Sequence, residues 1–570
     1  SLAGPITLAA DSIIAPNSGS VLTLAGPIDG AFGLTTAGNG TLNLNGAVGG
    51  GTPLAFLTTG ATGATGINAS VRTSGNQTYN NPTTLGGGVI LQSTGGSLLG
   101  NAAVNATAGA VALRAAVDVD FQNAGNDFST VAVTAGGNAS LVDQNAINLG
   151  ASTVAGNLAV TAGGAVTDSG ALAVTGATAL TAGAANDITL DNANDFGGNV
   201  SILSGKTVQL NDINSLTLDL SSFGTLTATA GGTLTLAGAM NASGTGDAIV
   251  LSGSRFVNNA GAGALSAPGG RWLVWSSNPD PFGGATPDVR GGLTYDFKQY
   301  NAIYGTTTVL GSGNGFLYSL APTITPGLTG TASKVYDGNT TATLTAGNFT
   351  ATGAIDGDTV VLSATGATYD NKNVGSGKTV TATGITASAS NGPAAVYGYT
   401  VSPGSASGAI GEITPATLTV SSIGAVSTTY GTPAATGAVT LSGVVTGDTV
   451  GSTASIVSPA YSTSGNLRAG AYAQAATTLN GTDAGNYTLT SYTTPIADYT
   501  VGQLALSGTA ITAAGSTYGS PLNPGVVSFG NAIGGDIVGS TASVNTTTLS
   551  GGGNPVVGSY TQTAGALTGA

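Results

Sequence analysis

The sequence predicts an all-β protein, a right-handed parallel β-helix followed by tandem antiparallel β-sandwich modules of immunoglobulin-like type. Three observations carry this. Lys, Glu, Arg and Met are thin while Thr, Val, Asn and Gly abound, with Gly at 94 of 570 positions, a composition that favours strands and tight turns over helices. Short alternating runs recur about every 20 residues through the first half. A longer repeat, with a constant offset of 88, fills the C-terminal half.

The first repeat runs over residues 1–270. Its units include SVLTLAG, GTLNLNG, STVAVTAGG, GNLAVTAGG and GTLTLAG, bounded by Gly, Asn or Asp, and the triplet NDF occurs at Asn126 and again at Asn194. A period near 20 is one coil of a parallel β-helix, in which inward Val, Leu and Ile stack from coil to coil. About thirteen such coils, ~4.8 Å apart, make a stalk on the order of 60 Å long.

Residues 271–323 break the pattern. They hold both tryptophans, Trp272 and Trp275, and a cluster of prolines, followed by TYDFKQYNAIYG. Aromatic and Pro residues at the end of a solenoid are what a cap needs, because the last coil otherwise presents open backbone groups. The paired indoles are also candidates for stacking on a sugar ring.

Three modules follow, at 324–414, 415–502 and 503–570. Tyr430 and Tyr518, Asp448 and Asp536, the string VGSTAS, and Tyr472 and Tyr560 all keep the 88-residue spacing, which Tyr399 and Tyr487 share. Turn signals such as AIDGD and GTDAGN separate about seven short strand candidates per module, the pattern of a β-sandwich. The third module stops before the partner of the Asn486–Thr490 stretch, so it is expected to lack a closing strand and the natural chain to continue. The opening residues already lie within the periodic pattern, and the chain is expected to be a portion of something longer.

Composition excludes several function classes. With no His and no Cys there is no imidazole base, Ser-His-Asp triad, thiol nucleophile, disulfide or His/Cys metal site. A net charge of -14 with only 11 Lys and Arg argues against nucleic acid or anionic lipid as partner. No apolar run approaches the ~20 residues of a transmembrane helix. Charged residues make up 6% of the chain, so solubility rests on Thr, Ser, Asn and Gly.

Each candidate site also has a plainer reading. Asp187, Asp191 and Asp195, with Asn194 and with Asp120, Asp127 and Asp143, could form an acidic ladder for Ca²⁺. Their spacing fits neither an EF-hand loop nor a nonapeptide calcium repeat, and turn hydrogen bonding is the favoured role. No resident cofactor is expected. The bases Arg72, Arg114, Lys206 and Arg255 lack flanking carboxylate pairs, so a polysaccharide-degrading β-helix enzyme is the remote alternative. Tyr336 and Asp337 of KVYDG are candidates for binding a ligand, but only the Tyr-(Asp)-Gly turn, ending at Gly338, is shared with Tyr430-Gly431 and Tyr518-Gly519, so a strand-to-turn role with Tyr in the module core is the favoured reading.

At these residues the sequence resembles large bacterial exoproteins of the filamentous-haemagglutinin, two-partner-secretion type. KVYDG followed by NTTAT resembles the start of the family's YDG module. TTYGTP and STYGSP with the GDTV or GDIV step resemble its mucin-binding-like MBG modules, and GGRWLVWSSNP with FKQYN resembles the joining segment. The family's secretion domain is not recognisable. The resemblance implies a secreted or surface-held protein of a Gram-negative bacterium, exported through an outer-membrane β-barrel transporter. It further implies a role in adhesion, aggregation or biofilm matrix, with polysaccharide, host glycan or other copies of itself as partners. A purely structural extracellular filament or surface-layer component is the alternative.

Overall fold

A computed structural model describes residues 1–282 and 286–569; part of the Pro-rich junction, residues 283–285, lies outside the described residues. The described secondary structure is β-strand apart from two three-residue 3₁₀ turns, Ala346–Asn348 and Ala484–Asn486. The chain divides into two compact units, one of Ser1–Pro326, Ala351–Ser363 and Thr386–Gly404, the other of Gly327–Thr350, Ala364–Ile385 and Ser405–Ala570.

The first unit is a parallel β-solenoid. One of its faces is a 13-stranded sheet in which every strand pairs in parallel with the equivalent strand of the next coil, a stack about 60 Å long at the usual strand spacing. Alternation in the sequence decides what points inward. Phe121, Leu141, Val160, Leu180 and Ile202 lie in register on successive coils, each at most 1% exposed, and form one continuous apolar column.

Two buried polar corners lie on the other sheet of the solenoid, and both come from the NDF triplets. Asn126 and Asn194 are fully buried. Asn194 Oδ1 accepts the Leu172 N–H at 2.8 Å from the coil before, while the Phe196 N–H reaches Asp212 Oδ2 at 2.8 Å in the coil after. Asn126 does the same toward Val104, and Phe128 toward Asp143. Each corner thereby ties three coils together through backbone groups that water cannot reach. Asn194→Ala strands the buried Leu172 N–H, and chemical denaturation should show a loss of about 1–3 kcal/mol.

The stack ends by changing pairing. Gly270–Ser276 pairs in parallel with Gly246–Ser252 and with Gly315–Tyr318, which pairs with Phe297–Gln299, which in turn pairs with Ala394–Tyr397. Ala394–Tyr397 then turns antiparallel against residues 389–391. A hairpin thus succeeds the last parallel rung and uses its open backbone groups.

The second unit holds short sheets that are mixed, where a purely antiparallel arrangement was expected. Ala332–Val335 pairs in parallel with residues 411–414, and Val426–Thr429 in parallel with Tyr499–Gly502. The same closing strands pair antiparallel on their other side, to residues 375–378 and to Gly470–Tyr472. The module's first and last strands run in one direction because the whole module forms the crossover between them. Among the described residues, no helix is long and apolar enough to cross a membrane.

Candidate functional site

The most developed polar constellation is a repeated aspartate clasp, built on the Gly-Asp step of each module. Asp358, Asp448 and Asp536 occupy equivalent places in GDTV, GDTV and GDIV.

In the first unit, Asp358 accepts hydrogen bonds from Tyr300 at 2.7 Å and Tyr399 at 2.9 Å, from Asn391 at 3.0 Å, and from the Lys298 ammonium. Lys298 also pairs with Asp356, which Arg290 holds from the other side. The side chains of Lys298, Asp356 and Asp358 are at most 1% exposed, so two cations and two carboxylates form a buried, balanced set. Arg290 donates to the Tyr318 hydroxyl at 3.0 Å and lies over the rings of Phe316 and Tyr295. Burial, and then the Asp358 carboxylate, push the Tyr300 hydroxyl far above its ordinary range, so it stays a donor.

In the second unit the pattern returns. Asp448 accepts Tyr336 at 2.7 Å, Tyr487 at 2.6 Å and Lys372 at 2.6 Å. Tyr487 matches Tyr399 in detail, since its hydroxyl also accepts a backbone N–H at 3.0 Å, from Val445, as Tyr399 does from Ile355. Asp536 accepts the Tyr430 hydroxyl and the Ser464 N–H, with Ser462 and Ser464 standing where the earlier clasps carry a lysine. In both second-unit clasps a tyrosine just ahead of the motif glycine reaches the Gly-Asp turn of the following module. Gly338, Gly431 and Gly519 sit at φ 79°, 81° and 85°, a left-handed conformation that costs glycine nothing and turns the chain one or two residues after the tyrosine.

The structure therefore reassigns the motif tyrosines. Tyr336 is buried and its hydroxyl works at a module boundary; Tyr430 is half-buried there, and Tyr518 is 56% exposed with its hydroxyl on Ser550. Asp337 is a local partner of Lys334. Trp272 and Trp275 are buried and pack edge-on against Phe316 and Tyr304, so neither indole offers a face for a sugar ring. Asp187 accepts the Thr207 N–H, Asp191 is exposed and Asp195 half-buried; among the described residues no group of three or more acidic side chains gathers to hold a metal. Asp143 and Asp212 make turn hydrogen bonds to Asn145 and Asn214 besides capping Phe128 and Phe196. Lys298, Tyr300 and the three clasp aspartates carry no sequence signal as a site beyond repetition: the 88-residue spacing shared by Asp448 and Asp536 and by Tyr399 and Tyr487 is the clue.

One carboxyl in each unit is shifted, and the two shifts are opposite in direction. Desolvation raises the Asp448 carboxyl, but hydrogen bonds from Lys372, Tyr487 and Tyr336 outweigh it and bring it down to about 2. A carboxylate held below its unfolded value adds stability above about pH 4, which is lost as pH falls through 2. Asp288, buried beside Ser276 and the Phe256 N–H, is pushed up to about 7, chiefly by desolvation. Its native proton stabilises the fold at low pH, and that contribution is lost as pH rises from about 4 through 7. Thermal unfolding across pH should show both limbs, with Asp448→Asn flattening the acid one and Asp288→Asn the other.

Two family profiles match the chain. Residues 321–406 match the YDG domain, and residues 136–203 match repeats of unknown function (DUF5649). No curated protein and no solved structure shows a match. A YDG domain beside a parallel β-solenoid of repeats is what the chain is similar to, and that combination fits a surface or adhesin-like protein.

Proposed function

We propose that the chain is a scaffold segment of an exported bacterial adhesin, in which a stiff right-handed β-helix displays a polar surface and clasped immunoglobulin-like modules keep the array in register. It works outside the cell or on its outer surface and reaches there unfolded through an outer-membrane β-barrel transporter, a route that suits a chain without cysteine. It is not an enzyme in this reading and needs no cofactor.

The observation that carries the reading is a flat polar ladder on the solenoid. Thr130, Asn148, Thr167, Thr189, Gln209 and Thr227 follow one another in register on six consecutive coils. Asn148 is hydrogen-bonded to Thr130 at 3.1 Å and to Thr167 at 3.3 Å. Hydroxyl and amide groups repeated at strand spacing suit many weak contacts along a polysaccharide better than one deep pocket. A glycan array probed with the full chain, and with Thr167, Thr189 and Thr227 all changed to Lys, tests this. Binding to at least one polysaccharide class should fall about tenfold or more in the variant through loss of multivalent contacts. Equal binding by both proteins, or none by either, overturns it. Regular, concentration-dependent filaments without glycan binding favour the second reading, a structural filament built on the same flat face.

A further inference from the structure

Lys298 has the surroundings of a reacting group as well as those of an ion. It stands in the middle of the strand Phe297–Gln299, which is paired on both sides, to Gly315–Tyr318 and to Ala394–Tyr397, and its side chain is fully buried. The turn Asp356-Gly357-Asp358, with Asp356 at φ 54°, points two carboxylates at this one ammonium. Asp356 Oδ2 lies 2.5 Å from Lys298 Nζ, and Asp358 Oδ1 is in direct contact with it. The other oxygen of Asp358, Oδ2, accepts the hydroxyls of Tyr300 at 2.7 Å and Tyr399 at 2.9 Å. Arg290 balances the charge of Asp356. Lys298 and Asp358 can therefore lose their opposite charges together and leave the cluster neutral.

We propose that Lys298 and Asp358 condense into an isopeptide bond once the chain has folded, with Asp356 as the proton carrier. The ammonium passes one proton to Asp358 Oδ1, and the free amine attacks Asp358 Cγ. A C–N bond forms and the Cγ–Oδ1 bond breaks. Asp356 takes a second proton from the nitrogen and hands it to the departing hydroxyl, which leaves as water. Ammonium and carboxylate thus become amide and water, with no oxidant and no cofactor. Negative charge builds on Oδ2 in the tetrahedral intermediate, where Tyr300 and Tyr399 already donate. Fixed contact between amine and carboxyl replaces a bimolecular encounter, an advantage that reaches an effective concentration of about 10⁵ M or more. The reverse reaction needs water, and the side chains of Lys298, Asp356 and Asp358 are at most 1% exposed.

The second clasp lacks these conditions. Lys372 lies 2.6 Å from Asp448, but its side chain is 38% exposed, and among the described residues it pairs with a single carboxylate. A bond from 298 to 358 encloses residues 299–357 in a covalent ring. Tension along the chain then crosses this segment through the bond, a property suited to a protein held at a surface.

Intact-mass spectrometry of the denatured full chain, followed by tryptic mapping, tests this. The parent should weigh one water less than its sequence. Lys298 should resist trypsin, so that residues 291–334 and 335–372 appear as one linked pair. Lys298→Arg and Asp358→Ala should each restore the full mass. Asp356→Asn keeps the reacting pair and should lower the linked fraction formed in a fixed time about tenfold or more, through loss of the proton carrier. The parent alone reports the bond, so a variant that fails to fold leaves the test intact. A parent of full sequence mass overturns the proposal. So does a lost water confined to residues 335–372, the product of a cyclic imide at Asp356-Gly357, and so does a link at Lys372 in place of Lys298. An Asp356→Asn chain that links as fully as the parent overturns the assigned carrier.

Discussion

Lys298→Met should destabilise the first unit by about 3–5 kcal/mol, because it removes one partner from a buried ion cluster and leaves the others uncompensated. The ammonium is fully buried between Asp356 and Asp358. Methionine keeps the apolar stem, so the cost is that of charge and not of volume. Arg290 still faces Asp356, and Tyr300, Tyr399 and Asn391 still donate to Asp358, but one negative charge is left without its cation. Denaturant unfolding measures the loss. Combining Lys298→Met with Asp358→Asn should recover part of it, since the pair then leaves together. A single variant within about 1 kcal/mol of the parent would show that the cluster is solvated and the account wrong.

Phe316→Ala should cost a similar amount, about 3–5 kcal/mol, for a different reason. Phe316 is fully buried at the end of the solenoid, with Trp272, Tyr295 and Phe256 at ring distances of 5.1, 5.4 and 6.1 Å. Alanine opens a cavity among rings that cannot collapse into it, and also removes the face over which Arg290 sits at 5.1 Å. Phe316→Leu, which keeps most of the volume, should lose well under half as much. Equal losses for Leu and Ala would point to the cation contact, and not the cavity, as the main contribution.

Both positions lie in segments whose role was legible and whose partners were not. The 20-residue period marks the solenoid because each coil repeats the same inward apolar and outward polar choices, so local patterning and stacking agree. The NDF triplets stand out in the sequence as a repeated string, yet nothing local tells a turn from a buried three-coil tie; the distinction depends on Asp143 and Asp212 one coil away. The tryptophans are visible as an aromatic cluster compatible with a cap or with a sugar platform, and only the positions of Phe316 and Tyr304 decide that both are interior. Tyr336 reads as a core residue because burial follows from its apolar ring, while its hydroxyl's partner is Asp448, 112 residues on.

Composition and periodicity by themselves determined the all-β class, the coil length, the module spacing and the absence of imidazole and thiol chemistry, because these follow from side-chain type and from the order of neighbours along the chain. Tertiary structure alone decided which aspartates are clasped and that the module sheets are mixed. Those features depend on groups brought together from distant positions, where the energy comes from shared burial and charge and leaves no local pattern to read.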